Sequence, residues 1–251
     1  MKKTSEQILE RVARERGFVG DFHEAMLAIN PRWLEIYLDF GGAPDKLGVI
    51  SKKLKHLIWI TVDSLPAHLY PRGIKRHIEM ARADGATFDE IFEAIAIACD
   101  TVMMTCDTAM PILFEELGIA EDDIPPSAAA ERLAALEVEM MERRGEWPAW
   151  MARLYAIAPD YVDAVTDLIL EPSRANALDA KSRAFIYLAL NASPVINNPA
   201  GVRRHVRQAL ELGATVEELV EVIQLSGMIA FHSSSVALPI LRDVIDEAAD
   251  R

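Results

Sequence analysis

The 251-residue chain is 51% apolar and sets 39 acidic side chains against 26 basic ones, a formal net charge of −13 with histidine neutral. That length supports one large or two small hydrophobic cores, and the acidity argues against nucleic acid or an anionic membrane as partner, since phosphate contact needs a basic surface. Met1-Lys2-Lys3 leads into Thr-Ser-Glu-Gln rather than an apolar stretch, and no apolar run approaches the length of a membrane span, so a cytoplasmic protein is expected.

In chain order, residues 5–16 and 18–29 pattern as helices separated at Gly17. Pro31 opens a third that carries Trp33, Ile36, Tyr37 and Phe40 before Gly41-Gly42-Ala43-Pro44 ends it. Ser51 caps a longer helix with Leu54, Leu57, Ile58 and Thr61 at helical spacing. Pro71 and Gly85 bracket a short helix: the N–H that proline lacks would have no partner at a helix start, and glycine accepts the left-handed conformation of a cap. Thr87 to Glu90 is a capping box for the next helix. The apolar stretch from Ile91 to Leu113 is expected to run through the core, with Pro111 kinking or breaking it. Glu121 to Ser127, acidic and proline-bearing, reads as a linker, and the Ala/Glu/Leu-rich run to Arg144 as helix. Asp179 then caps a helix with Phe185, Ile186 and Leu188, Pro199 and Gly213 bracket another, Thr215 to Glu218 is a second capping box, and Leu219 to Leu241 is a second apolar stretch containing Pro239. No segment alternates apolar and polar residues as a strand would, so the fold class is all-α.

The second half of this series repeats the first. His77 and His205 stand 128 positions apart, and the same offset pairs Pro71 with Pro199, Gly73 with Gly201, Arg76 with Arg204, Gly85 with Gly213, Thr87 with Thr215, Glu90 with Glu218, and Pro111-Ile112-Leu113 with Pro239-Ile240-Leu241, without a gap. A tandem duplication accounts for this, dividing the chain into repeats 1–125 and 126–251.

In each repeat Ile74, His77, Ile78 and Ala81, or Val202, His205, Val206 and Ala209, share one helical face, which puts both histidines among apolar neighbours. One interpretation is a core histidine held by a single carbonyl; the other is a proton-transfer residue on a cleft wall, because imidazole titrates near neutrality. Arg72, Lys75 and Arg76, like Arg203, Arg204 and Arg207, concentrate cations on the same short helices, either as a carboxylate-binding site or as a solvated face paired with acids. Trp59 and Tyr187 correspond, as pocket floor or as core. His232, followed by Ser233 to Ser235, is matched by Met104, so it marks a feature of one repeat only; no acid orienter or nucleophile-elbow pattern accompanies that Ser/His pairing. His56 and His68 are badly spaced for two ligands on one helix face, and no metal is expected. Cys99 and Cys106 fall on one expected helix, where seven residues rise about 10.5 Å, out of disulfide reach, and they read as small core residues.

The order helix, His, Gly-Ala-Thr and Glu-rich capping turn, as in Arg204-His-Val-Arg-Gln-Ala-Leu-Glu-Leu-Gly-Ala-Thr-Val-Glu-Glu-Leu and more loosely Arg76-His-Ile-Glu-Met-Ala, resembles the carboxymuconolactone decarboxylase and alkylhydroperoxidase-D-like family. The resemblance covers about half of each repeat. It implies an all-helical unit that assembles into trimers or hexamers, so that a tandem chain would form a homotrimer equivalent to six units. The peroxidase branch resembles Cys-x-x-Cys followed by His; here those cysteine positions hold Tyr70 and Gly73, or Asn198 and Gly201, which removes the thiol chemistry of that branch. The decarboxylase branch lacks the cysteines and acts on a carboxylated lactone. Carried onto this chain, it implies His77 and His205 as acid–base residues with the basic residues beside them, Arg76, Arg204 and Arg72, as carboxylate binders, and it demands no metal or organic cofactor; Trp59, Tyr187 and His232 join them as candidate substrate contacts from the comparison of the repeats. The last helix departs from the family's glycine-containing segment, with Ile229 to Ser235 in one repeat and Thr101 to Asp107 in the other. The expected partner is a small carboxylate or carbonyl compound. The alternatives are a ligand-binding, non-catalytic oligomer of the same fold and an alkylhydroperoxidase-type antioxidant.

Overall fold

The structure, a computed structural model, describes residues 4–119 and 127–250. The expected linker, except Ser127, and the boundary between 125 and 126 lie outside the described residues. The helices are α1 (Ser5–Arg16), α2 (Asp21–Ile29), α3 (Pro31–Gly41), α4 (Lys52–Asp63), α5 (Pro71–Ala83), α6 (Phe88–Ala98), α7 (Thr101–Leu117), α8 (Ser127–Arg144), α9 (Trp150–Ile157), α10 (Pro159–Arg174), α11 (Ala180–Ala192), α12 (Pro199–Glu211), α13 (Val216–Gly227) and α14 (His232–Ala249), with 3₁₀ turns at Pro44–Lys46 and Met228–Phe231. No strand occurs among the described residues.

The expected boundaries are present with their caps. Ser51 accepts from the Leu54 N–H and Asp179 from the Ser182 N–H, and Thr87 with Glu90 and Thr215 with Glu218 close reciprocal capping boxes. Gly85 and Gly213 take φ of 87° and 78°, beyond the ends of α5 and α12, where a side chain would be strained. The starts of α3, α4, α5 and α6 recur 128 positions later as those of α10, α11, α12 and α13.

The central core draws on both halves at once: Leu57, Ile58 and Ile60 of α4 pack in one cluster with Ile186, Leu188 and Leu190 of α11 and with residues of α6 and α13. Each such aliphatic side chain contributes roughly 1.5–3 kcal/mol by leaving water. Two buried carboxylates tie the halves together reciprocally. Glu93 of α6 accepts the Leu178 N–H at 2.9 Å and the Arg183 Nε–H at 2.5 Å, while Glu221 of α13 accepts the Val49 and Ile50 N–H groups at 2.8 and 3.0 Å and pairs with Lys55 at 2.6 Å. Each glutamate satisfies donors just before the long helix of the other half.

Three expectations fail here. Neither proline breaks its helix: Pro111 and Pro239 lie inside α7 and α14, and the apolar stretches break earlier, at Cys99–Asp100 and at Met228–Phe231. Pro111 and Asp107, four residues before it, are both exposed, so the carbonyl left without a helical partner faces water. The second break follows from amphipathicity, since beyond it the long helix lies on the surface: α14 buries only Ser235. Cys99 sits in the first break and is exposed, whereas Cys106 is buried and lies 3.5 Å from the Tyr161 hydroxyl. Finally, Phe88–Leu117 and Val216–Ala249 are long and apolar enough to cross a membrane by length and composition. Each is interrupted by a turn and carries a buried carboxylate, Glu93 or Glu221, that accepts hydrogen bonds from the other half of the chain, as a helix packed on protein does.

Candidate functional site

A cavity of about 700 Å³ opens in the first half, walled by α4, α5, the α1–α2 connection and the start of α14. Its apolar surface comes from Phe18, Phe22, Tyr37, Trp59, Tyr70 and Phe231. Its polar surface carries six cationic side chains, Arg16, Lys52, Lys55, Arg72, Lys75 and Arg76, against four acidic ones, Glu15, Asp45, Glu79 and Asp84. In a chain of net charge −13 this is a local reversal, and it favours an anionic guest.

His77 lies on this wall because α5 turns its apolar face toward α4, and there it meets His56. The two Nδ1 atoms are 3.2 Å apart, and the His77 ring lies 4.8 Å from that of Trp59. On the far side of His56, Asp84 Oδ2 is 3.4 Å from Nε2. A carboxylate there favours the His56 tautomer with its proton on Nε2, so that Nδ1 accepts from His77 Nδ1–H and His77 Nε2 keeps its lone pair. Burial pushes the His77 pKa down to about 3, aided by His56, and burial also lowers that of His56, so both rings are neutral at pH 7.

Two guanidiniums on the wall have no carboxylate partner among the described residues. Arg76 stacks 3.6 Å above the Phe18 ring and donates to the Arg16 carbonyl at 3.2 Å, and Arg16 donates to backbone carbonyls only, its Nε buried without a partner. Arg72, by contrast, is exposed and engaged by both oxygens of Asp21 at 2.9 and 3.1 Å, an anchor between α5 and α2 rather than an open anion site. Trp59 lines the cavity and donates its Nε1–H to the Leu225 carbonyl at 3.2 Å.

His232 also lines this cavity, and behind it the fold assembles a grouping that the sequence does not place together. Asp63 closes α4, His68 lies in the following turn and His232 begins α14. His68 Nε2 is 2.8 Å from His232 Nδ1, and Asp63 Oδ1 is 3.7 Å from the former and 3.4 Å from the latter. Asp63 is fully buried, and neither carboxylate oxygen has a hydrogen bond. Its carboxyl group lies against Gly73, where an added Cβ would meet Asp63 Oδ2 at 2.1 Å, so the glycine is what admits it. Burial pushes the Asp63 pKa up to about 8, and burial assisted by the neighbouring His68 pushes the His232 pKa down to about 4. Tyr70 stacks on His232 with ring centres 4.0 Å apart.

The second half uses the same helices differently. His205 is 2% exposed and stacks on Tyr187 at 4.9 Å; its Nδ1 is 3.0 Å from Gln208 Oε1, and its Nε2 is buried without a partner. Neither His205 nor Tyr187 lines either of the two described cavities. Arg144 and Arg204, 128 positions beyond Arg16 and Arg76, are both paired: Arg144 with both oxygens of Asp100 and with Glu146, and Arg204 with Glu146. Asn191 replaces Asp63 and is satisfied by the Tyr187 carbonyl and the Asn198 amide. The charged lining of the nearby groove of about 920 Å³ is instead Arg143, Arg144, Arg183, Arg203, Arg204 and Arg207 with Glu142 and Glu211.

Asp63, Arg16, Phe18 and Tyr70 escape the sequence analysis. The signal that could have found Asp63 is an acid at the end of an otherwise apolar helix, over a Gly whose repeat mate faces Asn191.

No family model and no curated protein matches the sequence. Among solved structures, the fold matches that of a protein from Burkholderia xenovorans described, as a provisional assignment, as a gamma-carboxymuconolactone decarboxylase subunit, with a TM-score of 0.88 and 26% identity over 99% of this chain and 100% of that one. An all-helical likeness that spans both chains end to end supports the resemblance to the carboxymuconolactone decarboxylase-like family that the histidine-bearing hairpins and the missing cysteine pair carry.

Proposed function

We propose that this chain is a decarboxylase-like enzyme acting on a small carboxylated lactone or related carbonyl compound, with proton transfer at His77 and the substrate anion held between Arg16 and Arg76. The observation that carries the reading is the His56–His77 pair on the wall of a cavity that also presents two guanidiniums without carboxylate partners. Loss of CO₂ leaves an electron pair on carbon, delocalised into the lactone carbonyl, and a proton must be delivered to that carbon. His77 is neutral in the empty cavity; a bound carboxylate raises its pKa by direct attraction, so that Nε2 takes a proton from solvent and returns it to the carbanion as CO₂ leaves. The aromatic wall excludes water and favours charge-dispersed intermediates.

The reading places one such site per chain, in the first half, on a soluble, cytoplasmic homo-oligomer built from two repeats of common origin. Support for assembly comes from α14, where Val236, Ile240, Leu241, Val244 and Ile245 leave one apolar face 44–60% exposed. A trimer of two-repeat chains is the form expected.

The test incubates the protein with carboxymuconolactone while CO₂ and the ultraviolet spectrum are followed. His77→Ala is expected to lower kcat about 10²–10⁴-fold, Arg76→Met to raise KM more than it lowers kcat, and His205→Ala to leave kcat of the folded fraction within about twofold. No turnover of this or related lactones by folded protein, or turnover untouched by His77→Ala, overturns the proposal. Binding without turnover would identify a ligand-binding oligomer, and peroxide-driven turnover with oxidation of Cys99 or Cys106 an antioxidant.

A further inference from the structure

We infer that Asp63, His68 and His232 form a binding site for a single divalent transition-metal ion at the edge of the cavity. The inference goes beyond the proton-transfer reading and does not depend on it.

The three donor atoms come from three separate segments, the end of α4, the turn after it and the start of α14, and all lie within 4.8 Å of one another. Separations of 2.8, 3.4 and 3.7 Å define a triangle whose centre is about 1.9 Å from each corner, so an ion slightly out of plane reaches all three at the roughly 2.0–2.2 Å expected for nitrogen and carboxylate oxygen ligands. Two imidazoles and one carboxylate on one side of an ion leave the opposite positions for water or substrate, an arrangement suited to zinc or ferrous iron. His232 belongs to both the cluster and the cavity wall, where Tyr70 stacks on it, so the cluster adjoins the cavity.

The independent pointer is Asp63 itself. A fully buried carboxyl group with no hydrogen bond to either oxygen is costly, and a cation is the partner that its surroundings fail to supply. The corresponding position in the second half shows how the fold resolves the same spot without an ion: Asn191 has its amide and carbonyl both satisfied, Ile196 stands for His68 and Met104 for His232. All three ligands are absent together where the orphaned carboxylate is absent. The backbone after His68 is held in an uncommon conformation, Leu69 at φ 36°, where its repeat mate is the more tolerant Asn197 at φ 48°. Binding needs no redox partner: one ion enters and the Asp63 proton leaves.

The test uses the full chain stripped by chelator and titrated with Zn²⁺ by calorimetry and with Co²⁺ by visible absorption. One equivalent per chain is expected, with the Co²⁺ ligand-field bands of a nitrogen- and oxygen-ligated site. Asp63→Asn, His68→Ala and His232→Ala should each weaken binding at least about 100-fold. Asp63→Asn is the cleanest, since asparagine already occupies the equivalent place at Asn191. His56→Ala and His77→Ala should leave stoichiometry and spectrum unchanged, which separates this site from the acid–base pair. Binding below half an equivalent, or binding that survives Asp63→Asn and His232→Ala, overturns the inference, as does loss of the spectrum in His77→Ala.

Discussion

His205 decides between a structural and a catalytic role for the second repeated histidine, and its effect on stability can be worked out beforehand. Burial pushes its pKa down to about 4 from the 6.5 usual for an imidazole, with the Gln208 contact opposing and Arg144 and Arg204 assisting. The unfolded chain therefore binds more protons at this residue between about pH 6.5 and 4, and stability rises with pH across that window. The contribution is complete above pH 6.5 and is lost as the pH falls. Between pH 8 and pH 5 the loss is about 2 kcal/mol for this one group. Other buried groups titrate in the same interval, and Asp63, with its pKa raised to about 8, acts in the opposite direction, so the wild-type slope alone is uninformative. The informative quantity is a double difference. Urea unfolding followed by tryptophan fluorescence, at pH 8 and pH 5, is compared between wild type and His205→Gln, and the variant should lose about 2 kcal/mol less on acidification. The glutamine removes the titration and leaves Asp63 in both proteins. Equal slopes within about 0.5 kcal/mol would mean that His205 is hydrated enough to ionise in the native state, and the sealed, structural assignment would be wrong.

Two further outcomes follow from the structure. Lys55→Ala leaves Glu221 buried with its two backbone donors but without its cation, and should cost about 3–5 kcal/mol in urea unfolding, against less than about 1 kcal/mol for Lys75→Ala, whose pairing with Glu79 is at the surface. Leu241→Glu on the exposed face of α14 should lower the sedimentation coefficient from that of an oligomer toward that of a monomer without altering helical circular dichroism; an unchanged coefficient would remove α14 from any interface.

Local chemistry made most of the fold readable in advance. Ser51, Asp179 and the two threonine capping boxes are short-range devices, complete within four residues, and they mark helix starts wherever they occur. The two prolines misled for the converse reason. Whether a helix runs on through an interior proline is settled beyond the neighbouring residues: Asp107 and Pro111 share an exposed side of α7, whereas Ser235, four residues before Pro239, is buried. At the site, His77 was legible from periodicity, since an imidazole on an apolar face at i+3 must be either core or cleft wall. Its partner His56 was not, because the two meet only where α4 and α5 cross. Asp63, His68 and His232 are a stronger case: 164 residues separate the two imidazoles, and only the return of α14 across α2 brings them within hydrogen-bond distance.

The two halves also show what turns a repeated scaffold into a site. The hairpins keep Gly73 and Gly201, His77 and His205, and a guanidinium from Arg76 or Arg204, so the scaffold alone does not distinguish a pocket from a filled core. The difference lies in what answers the guanidiniums. In the first half an aromatic ring, Phe18, lies beneath Arg76, and among the described residues no carboxylate pairs with Arg16, which donates to the Gly41 and Tyr37 carbonyls. In the second half Glu146 holds Arg204 and Arg144, and Asp100 turns in from the break between α6 and α7 to complete the neutralisation. An internal carboxylate does there what a bound anion would otherwise do, and it does so permanently, since both Asp100 and Arg144 are buried. At Arg16 and Arg76, both only half-buried, an anionic ligand would make the pairing that Glu146 and Asp100 make for Arg204 and Arg144.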